Sequence, residues 1–477
     1  MTARHASFRR RNLLVFHFES VSWQTVNAFQ AAFPHLFALI DGARTWRFHF
    51  SSATSTEMTL AALLHGNDFE MDAAPGLSRP VANNPSLFAV LDSHGYETSV
   101  LCATPFPRRP ILHRFSDSLP PVQTTNDFGE LLDKFEACCG VDAPFAVFTW
   151  SQVPHVGANL ALAPYARSLE ELAAGACAVA DNLLGAMLDI LRRRDLLDDT
   201  TVVVFGDHGD DYWTHGFKNG LLHGIEPYTA LIHTPLVIRD PAFPTGSDNR
   251  LVSTIDLAAT CLDLLGIPKA STFPHSGLSL LAPEPRAIAF SQNFTASQSD
   301  DPRQDVRKAF AAIDHSHALQ VSARGLALYN HRLDPGNQTN LLNFFALEGD
   351  GRLRPVGMEI PRHNHFATIS HLWYRGGLLQ DTFTRLHDAL KTMVTAKNDY
   401  ALGRGVEPGR LLDAGAFRRI DPTGLDAFFK REAPVTAAPA PAEVKGARPR
   451  RKRPASRLPR PLRRALRRLG YGGPARP

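Results

Sequence analysis

The sequence predicts an α/β fold: a mostly parallel sheet sandwiched between helices, followed by a smaller C-terminal antiparallel sheet subdomain and a disordered basic tail. Three observations predict it. Short apolar, β-rich runs alternate with helical segments through residues 10–285, which is the pattern of βαβ units. Between residues 286 and 345 the pattern changes to short strands with turn signals such as Asp334-Pro335-Gly336-Asn337. After Glu432 the composition becomes Pro, Ala and Arg, too poor in large apolar side chains to bury a core.

The elements follow in order. Leu13–Phe18 is an apolar run bounded by polar residues, as a strand covered on both faces should be. Thr56–Leu64 reads as helix, Pro144–Thr149 as strand, Leu169–Arg193 as a long helix, Thr201–Phe205 and Pro235–Ile238 as strands, and Thr254–Leu265 as helix. Residues 10–285 thus form one catalytic-sized α/β domain, 286–345 a small β subdomain, 346–429 an extension with one helix expected at Phe383–Ala396, and 430–477 the tail.

Composition narrows the function classes. The chain has 477 residues, 44% hydrophobic and 21% charged, which is ordinary for a globular protein with a large core. Residues 430–477 hold 15 Lys and Arg against two Glu, a local charge of +13 in a chain whose total is +4, so residues 1–429 carry −9. The acidic body makes nucleic acid an improbable partner. Within the tail, Leu462, Ala465, Leu466 and Leu469 fall at i, i+3, i+4 and i+7 among arginines, so residues 445–470 are expected to lie on an anionic membrane surface. Five cysteines without a CxxC pair point to a reducing compartment. No secretory signal is visible, and no run approaches the ~18 continuous apolar residues of a membrane helix. A cytoplasmic protein, peripheral at the inner face of the membrane, is the expectation.

Ligands of open α/β sheets bind at the carboxyl ends of strands, so the polar residues there are the candidates for chemistry. Glu19 closes the first strand, Asp207 and His208 close the run ending Phe205-Gly206, and His155 follows Phe148-Thr149-Trp150. Carboxylates and imidazole gathered at one sheet edge make a cage for a divalent ion, zinc or manganese first, with calcium or magnesium as alternatives. The segment Thr54-Ser55-Thr56-Glu57-Met58-Thr59 opens a helix. A capping box with Thr54 at the N-cap and Glu57 at N3 accounts for it, and also places Thr56 in the first turn, where amides and dipole favour an alkoxide.

Three stretches in order carry a resemblance. Leu196-Leu197-Asp198-Asp199-Thr200-Thr201-Val202-Val203-Val204-Phe205-Gly206-Asp207-His208-Gly209 is similar to the strand and aspartate-centred metal motif of the sulfatase-like branch of the alkaline phosphatase superfamily. Val252-Ser253-Thr254-Ile255-Asp256-Leu257-Ala258-Ala259-Thr260 with Leu264-Leu265-Gly266-Ile267-Pro268 resembles the helix that follows. Leu328-Tyr329-Asn330 and Leu333-Asp334-Pro335-Gly336-Asn337-Gln338-Thr339-Asn340-Leu341 resemble the family's C-terminal signature.

Sulfatases carry Cys or Ser in a C/S-x-P-x-R signature, where this chain has Thr56-Glu57-Met58-Thr59-Leu60. Threonine is the nucleophile in the related phosphoethanolamine and phosphoglycerol transferases, which the site residues resemble most. The resemblance implies Glu19, Thr56, Asp207 and His208 as metal ligands, Thr56 as nucleophile, and His223 and His155 as catalytic, substrate-side histidines. His215 and Lys218 stand at the spacing of further anion-contacting residues, though a solvated loop cation is the plainer reading of Lys218. The implied activity is cleavage or transfer of a phosphate ester through a covalent threonine. The alternatives are a sulfuric ester hydrolase and an inactive scaffold of the same fold.

Overall fold

A computed structural model of the chain describes residues 10–66, 85–104, 119–155, 166, 168–212, 215, 223–267, 276–293, 308–355, 376–403, 405 and 408–421. Lys218 and the tail beyond residue 430, with its expected membrane-facing stretch, lie outside the described residues.

In chain order the elements are β1 (Asn12–Phe18), α1 (Trp23–Ala28), α2 (Pro34–Asp41), β2 (Arg44–Phe50), α3 (Thr56–His65), α4 (Leu87–Ser93), β3 (Glu97–Ala103), β4 (Val122–Thr125), α5 (Phe128–Cys138), β5 (Phe145–Ser151), α6 (Leu169–Arg193), β6 (Thr200–Gly206), α7 (Thr229–Ile232), β7 (Leu236–Arg239), β8 (Gly246–Ser253) and α8 (Asp256–Leu264). There follow β9 (Ala289–Asn293), β10 (Ala309–Ile313), β11 (Ala318–Ser322), β12 (Gly325–Tyr329), the short pair β13 (Phe345–Leu347) and β14 (Leu353–Pro355), and α9 (Gly376–Gly403).

The large sheet has the order β4-β3-β5-β1-β6-β7-β2-β8. All seven residues of β1 are buried, because helices cover both faces. On one face Leu14, Phe16, Val147, Val202 and Val204 pack with Leu183, Leu184, Met187 and Leu188 of α6. On the other, Leu13, Val15, Phe148, Val203 and Phe205 pack with Leu60, Leu63, Phe88 and Leu257. By length and composition α6 could cross a membrane, but two-thirds of its most apolar window is buried in this core.

One strand departs from the parallel expectation. β7, anticipated at Pro235–Ile238 as part of the βαβ series, runs antiparallel to both β6 and β2. A parallel neighbour requires a crossover of a dozen or more residues, usually helical. The described part of the β6–β7 connection contains only the four-residue α7. That connection stays at the carboxyl edge of the sheet instead, and supplies the loop on which Asp207, His208 and His223 sit.

The antiparallel sheet has the order β12-β11-β10-β9, with α9 packed on β10 and β11. It is stitched to the large sheet beside the start of α3: Gln292 N donates to Ser52 O at 3.1 Å and Thr54 N to Gln292 O at 3.2 Å.

Candidate active site

The carboxyl ends of β1, β5 and β6 are neighbours, since β1 pairs in parallel with both of the others. Glu19 and Asp207, each the first residue past its strand, are therefore brought to one place and buried. Ser20 turns the chain there with a φ of 62°, a conformation a non-glycine residue adopts at a cost. Its amide donates to Asp207 Oδ1 at 2.9 Å, as does the His208 amide at 2.8 Å. Both glycines of Gly206-Asp207-His208-Gly209 are dictated by packing: a Cβ on Gly206 would run into the carbonyl oxygen of Val21, and one on Gly209 into that of Ala230.

α3 delivers Thr56 to this edge, though not through the expected capping box. The N-cap is Ser55, without a side-chain cap hydrogen bond. Thr54 is engaged elsewhere: its Oγ1 donates to Ile225 O at 3.0 Å and its carbonyl accepts from Gly224 N at 2.7 Å. Tertiary partners have taken over the residue that the local pattern assigns to the cap. Thr56 is consequently the first residue of the helix, buried, with Oγ1 3.0 Å from His208 Nε2 and 3.5 Å from Glu19 Oε1.

The hydrogen bonds assign the His208 tautomer. Nδ1 donates to its neighbour's carbonyl, Gly209 O, at 2.9 Å, so the lone pair of Nε2 faces the Thr56 hydroxyl. Burial pushes the His208 imidazole down, against the pull of Asp207, which favours this neutral form. For Asp207, burial alone pushes the carboxyl up, but His208, His17 and the Ser20 amide overcome it and hold the group below the ordinary carboxylate range. Its Oδ2 lies 3.3 Å from both His17 Nε2 and His208 Nε2 and, among the described residues, has no partner that meets hydrogen-bond geometry.

A buried carboxylate oxygen beside an imidazole lone pair is an electrostatic gap, and the donor chemistry of Glu19, Asp207, His208 and Thr56 fits a divalent cation. These side chains meet in pairs through Thr56 and His208. Among the described residues, no three His, Cys, Asp or Glu side chains form a ready-made metal cage.

The histidines expected on the substrate side occupy different positions. His155 Nε2 is 3.6 Å from Glu19 Oε1. The His223 ring lies 4.4 Å from that of His208 and 5.1 Å from that of His155, centroid to centroid. His215 stacks flat on Tyr228 at 3.5 Å, with Nδ1 2.5 Å from Asp211 Oδ1.

Three residues at the site were not anticipated. Trp150 Nε1 donates to Glu19 Oε2 at 2.5 Å, His17 flanks Asp207, and Asp210 Oδ1 lies 2.8 Å from His223 Nδ1. The alternation of β5 marks Trp150 only as core. Asp210, a carboxylate two residues beyond His208 in a loop, was the one detectable signal.

Residues 142–267 match the Sulfatase family. Human arylsulfatase K is 34% identical over 106 residues, covering 22% of this chain and 19% of that protein. The choline-sulfatase of Rhizobium meliloti (strain 1021) is 26% identical over 166 residues, 32% of this chain and 31% of that protein. The chain thus spans about a fifth to a third of the length of these curated relatives. Among solved structures, the phosphonate monoester hydrolase of Agrobacterium radiobacter superposes with a TM-score of 0.54 at 16% identity, over 78% of this chain and 96% of that one. A 2-O GAG sulfatase gives a TM-score of 0.57 at 15% identity, over 87% and 96%. At these identities the likeness establishes a sulfatase-like, alkaline phosphatase-like fold.

Proposed function

We propose that this chain cleaves phosphate or phosphonate esters with Thr56 as the nucleophile, handing the phosphoryl group to water or, in a transfer reaction, to an acceptor hydroxyl. The observation that carries this reading is the placement of Thr56 at the first position of α3, its hydroxyl 3.0 Å from the lone pair of His208 Nε2. Glu19, Asp207, His208 and Thr56 would hold a divalent ion. Such an ion, when bound, acidifies a ligating hydroxyl and polarises a phosphoryl oxygen.

Because the Nε2 lone pair of His208 would go to the ion, the acceptor in reach of the Thr56 proton is Glu19 Oε1, at 3.5 Å. Oγ1 attacks phosphorus, the bond from phosphorus to the leaving oxygen breaks, and the helix N-terminus stabilises charge on the phosphoryl group. His223 and His155 stand next to this centre as the groups that protonate the departing oxygen. Hydrolysis of the phosphothreonine ester then restores the hydroxyl.

A second reading, sulfate-ester hydrolysis, is favoured by one observation: the matched curated relatives are named as sulfatases. A panel of 4-nitrophenyl phosphodiesters, phosphonates and sulfates separates the two. Phosphorus esters are expected to turn over, with kcat falling by at least about 10³-fold in Thr56→Ala while its unfolding transition is unchanged. Preferential turnover of sulfate establishes the second reading, and full activity of Thr56→Ala removes Thr56 from the chemistry.

A further inference from the structure

We propose that Asp210 is a positioning residue: it accepts from the Nδ1–H of His223 and so turns Nε2 of that ring towards the departing oxygen. The inference deepens the function proposed above and rests on it. Asp210 follows His208 by two residues, is buried, and places Oδ1 2.8 Å from His223 Nδ1. A buried carboxylate demands a donor, and a donor at Nδ1 confines the ring's proton chemistry to Nε2.

The backbone of His223 is held from the other side. Gly224 N donates to the carbonyl of Thr54, and Asn293 Nδ2 donates to Gly224 O, both at 2.7 Å. His223 is thereby held at its Nδ1 and through the residue that follows it, one ring away from the imidazole that contacts Thr56. The adjacent pair Asp211–His215 is built differently: Asp211 also accepts from the His215 amide at 3.0 Å, and the ring lies flat on Tyr228. That pair lies four residues apart, whereas Asp210 reaches 13 residues along the chain.

In the step this serves, the bond from Thr56 Oγ1 to phosphorus forms as the bond to the leaving oxygen breaks. That oxygen takes the proton of His223 Nε2, and the ring is left neutral with its Nδ1–H on Asp210. A carboxylate in this position fixes the ring through Nδ1 and leaves Nε2 as the atom that faces the departing oxygen.

The test uses the full chain with a series of aryl phosphonate esters, from 4-nitrophenyl to phenyl, in the wild type and in Asp210→Asn. Help to the leaving group matters most when that group is poor. Asp210→Asn is therefore expected to lose roughly 10–100-fold in kcat on the phenyl ester, under about threefold on the 4-nitrophenyl ester, and little in KM. An equal loss across the series would show a merely structural role and overturn the proposal. Histidine-selective ¹⁵N NMR of the wild type, with His223→Gln for assignment, gives a readout independent of turnover and of the variant's folding. A proton on His223 Nδ1, with or without a second one on Nε2, supports the proposal, and a neutral Nε2–H tautomer with Nδ1 bare overturns it. Failure of the reaction class itself would be seen separately, as a wild type inert towards every phosphorus ester.

Discussion

Glu19 shows how much of the candidate site depends on a side chain that looks like plain core. Its Oε2 accepts from the indole N–H of Trp150, which reaches it because β1 and β5 pair with His17 opposite Trp150. Trp150→Phe keeps the ring's bulk and removes the donor, leaving a buried carboxylate oxygen undersatisfied. The expected cost is about 1–3 kcal/mol of stability by urea denaturation and roughly 10–100-fold in kcat/KM. Wild-type kinetics in that variant would detach Glu19 from the reaction. Glu19, Thr56, Asp207 and His208 are legible in sequence because each directly follows a strand or opens a helix. Trp150 and His17 are not, since their roles come from partners 131 and 190 residues away, and no local period records such contacts.

Among the elements, the stretches that resemble family signatures have plain structural uses. Asp256 accepts from Ser253 N and Leu278 N at 2.9 and 2.7 Å and pairs with Arg286, fastening α8 to the loop before β9. Asn337 has a φ of 50°, and its Oδ1 accepts from Thr229 N at 2.5 Å, so the turn after β12 caps α7 beside the site. Asn340 binds β12 through Leu328 N and reaches Asp421 O with its amide. Asn337→Ala loses both the cap and the tolerance for left-handed backbone, and should lower stability by about 1–3 kcal/mol in chemical denaturation. An unchanged midpoint would make the turn independent of that side chain. α9 extends over Gly376–Gly403, beyond the expected Phe383–Ala396, because buried Leu379 and Ala401 add packing at both ends where the sequence is polar or glycine-rich.

For the molecule as a whole, the junction between the two sheets is rich in histidine. His233 stacks on Phe50, His331 meets the same ring edge-on, and His49 is held between Thr234 and Thr254. Burial pushes His49 down to about 3 and His331 down to about 4, and lowers His233 as well. An unfolded histidine titrates near 6.5. As pH falls below that value, the unfolded chain takes up protons that the folded one refuses, so stability declines until the folded groups titrate. Asp181, pushed up to about 6 by burial, acts in the opposite sense between that value and its unfolded one near 4. With three histidines against one aspartate, the melting temperature should drop between pH 6.5 and 4, and His49→Gln should flatten that slope. A slope identical to wild type would exclude His49 from the linkage.

The amino-acid sequence by itself determined the alternation of strands and helices, the change to an antiparallel subdomain, and which residues end the strands. Those are consequences of periodicity and of local turn chemistry. Parallel pairing then brings strand ends together whatever the loops do, so the meeting of the ends of β1, β5 and β6 could be anticipated. Only the tertiary structure decided the reversal of β7, the diversion of Thr54 from capping to bridging, and the hydrogen bonds that steady Glu19 and His223. Each depends on a register or a contact between segments distant in the chain, where desolvation rewards partners for buried polar atoms that local preference does not specify.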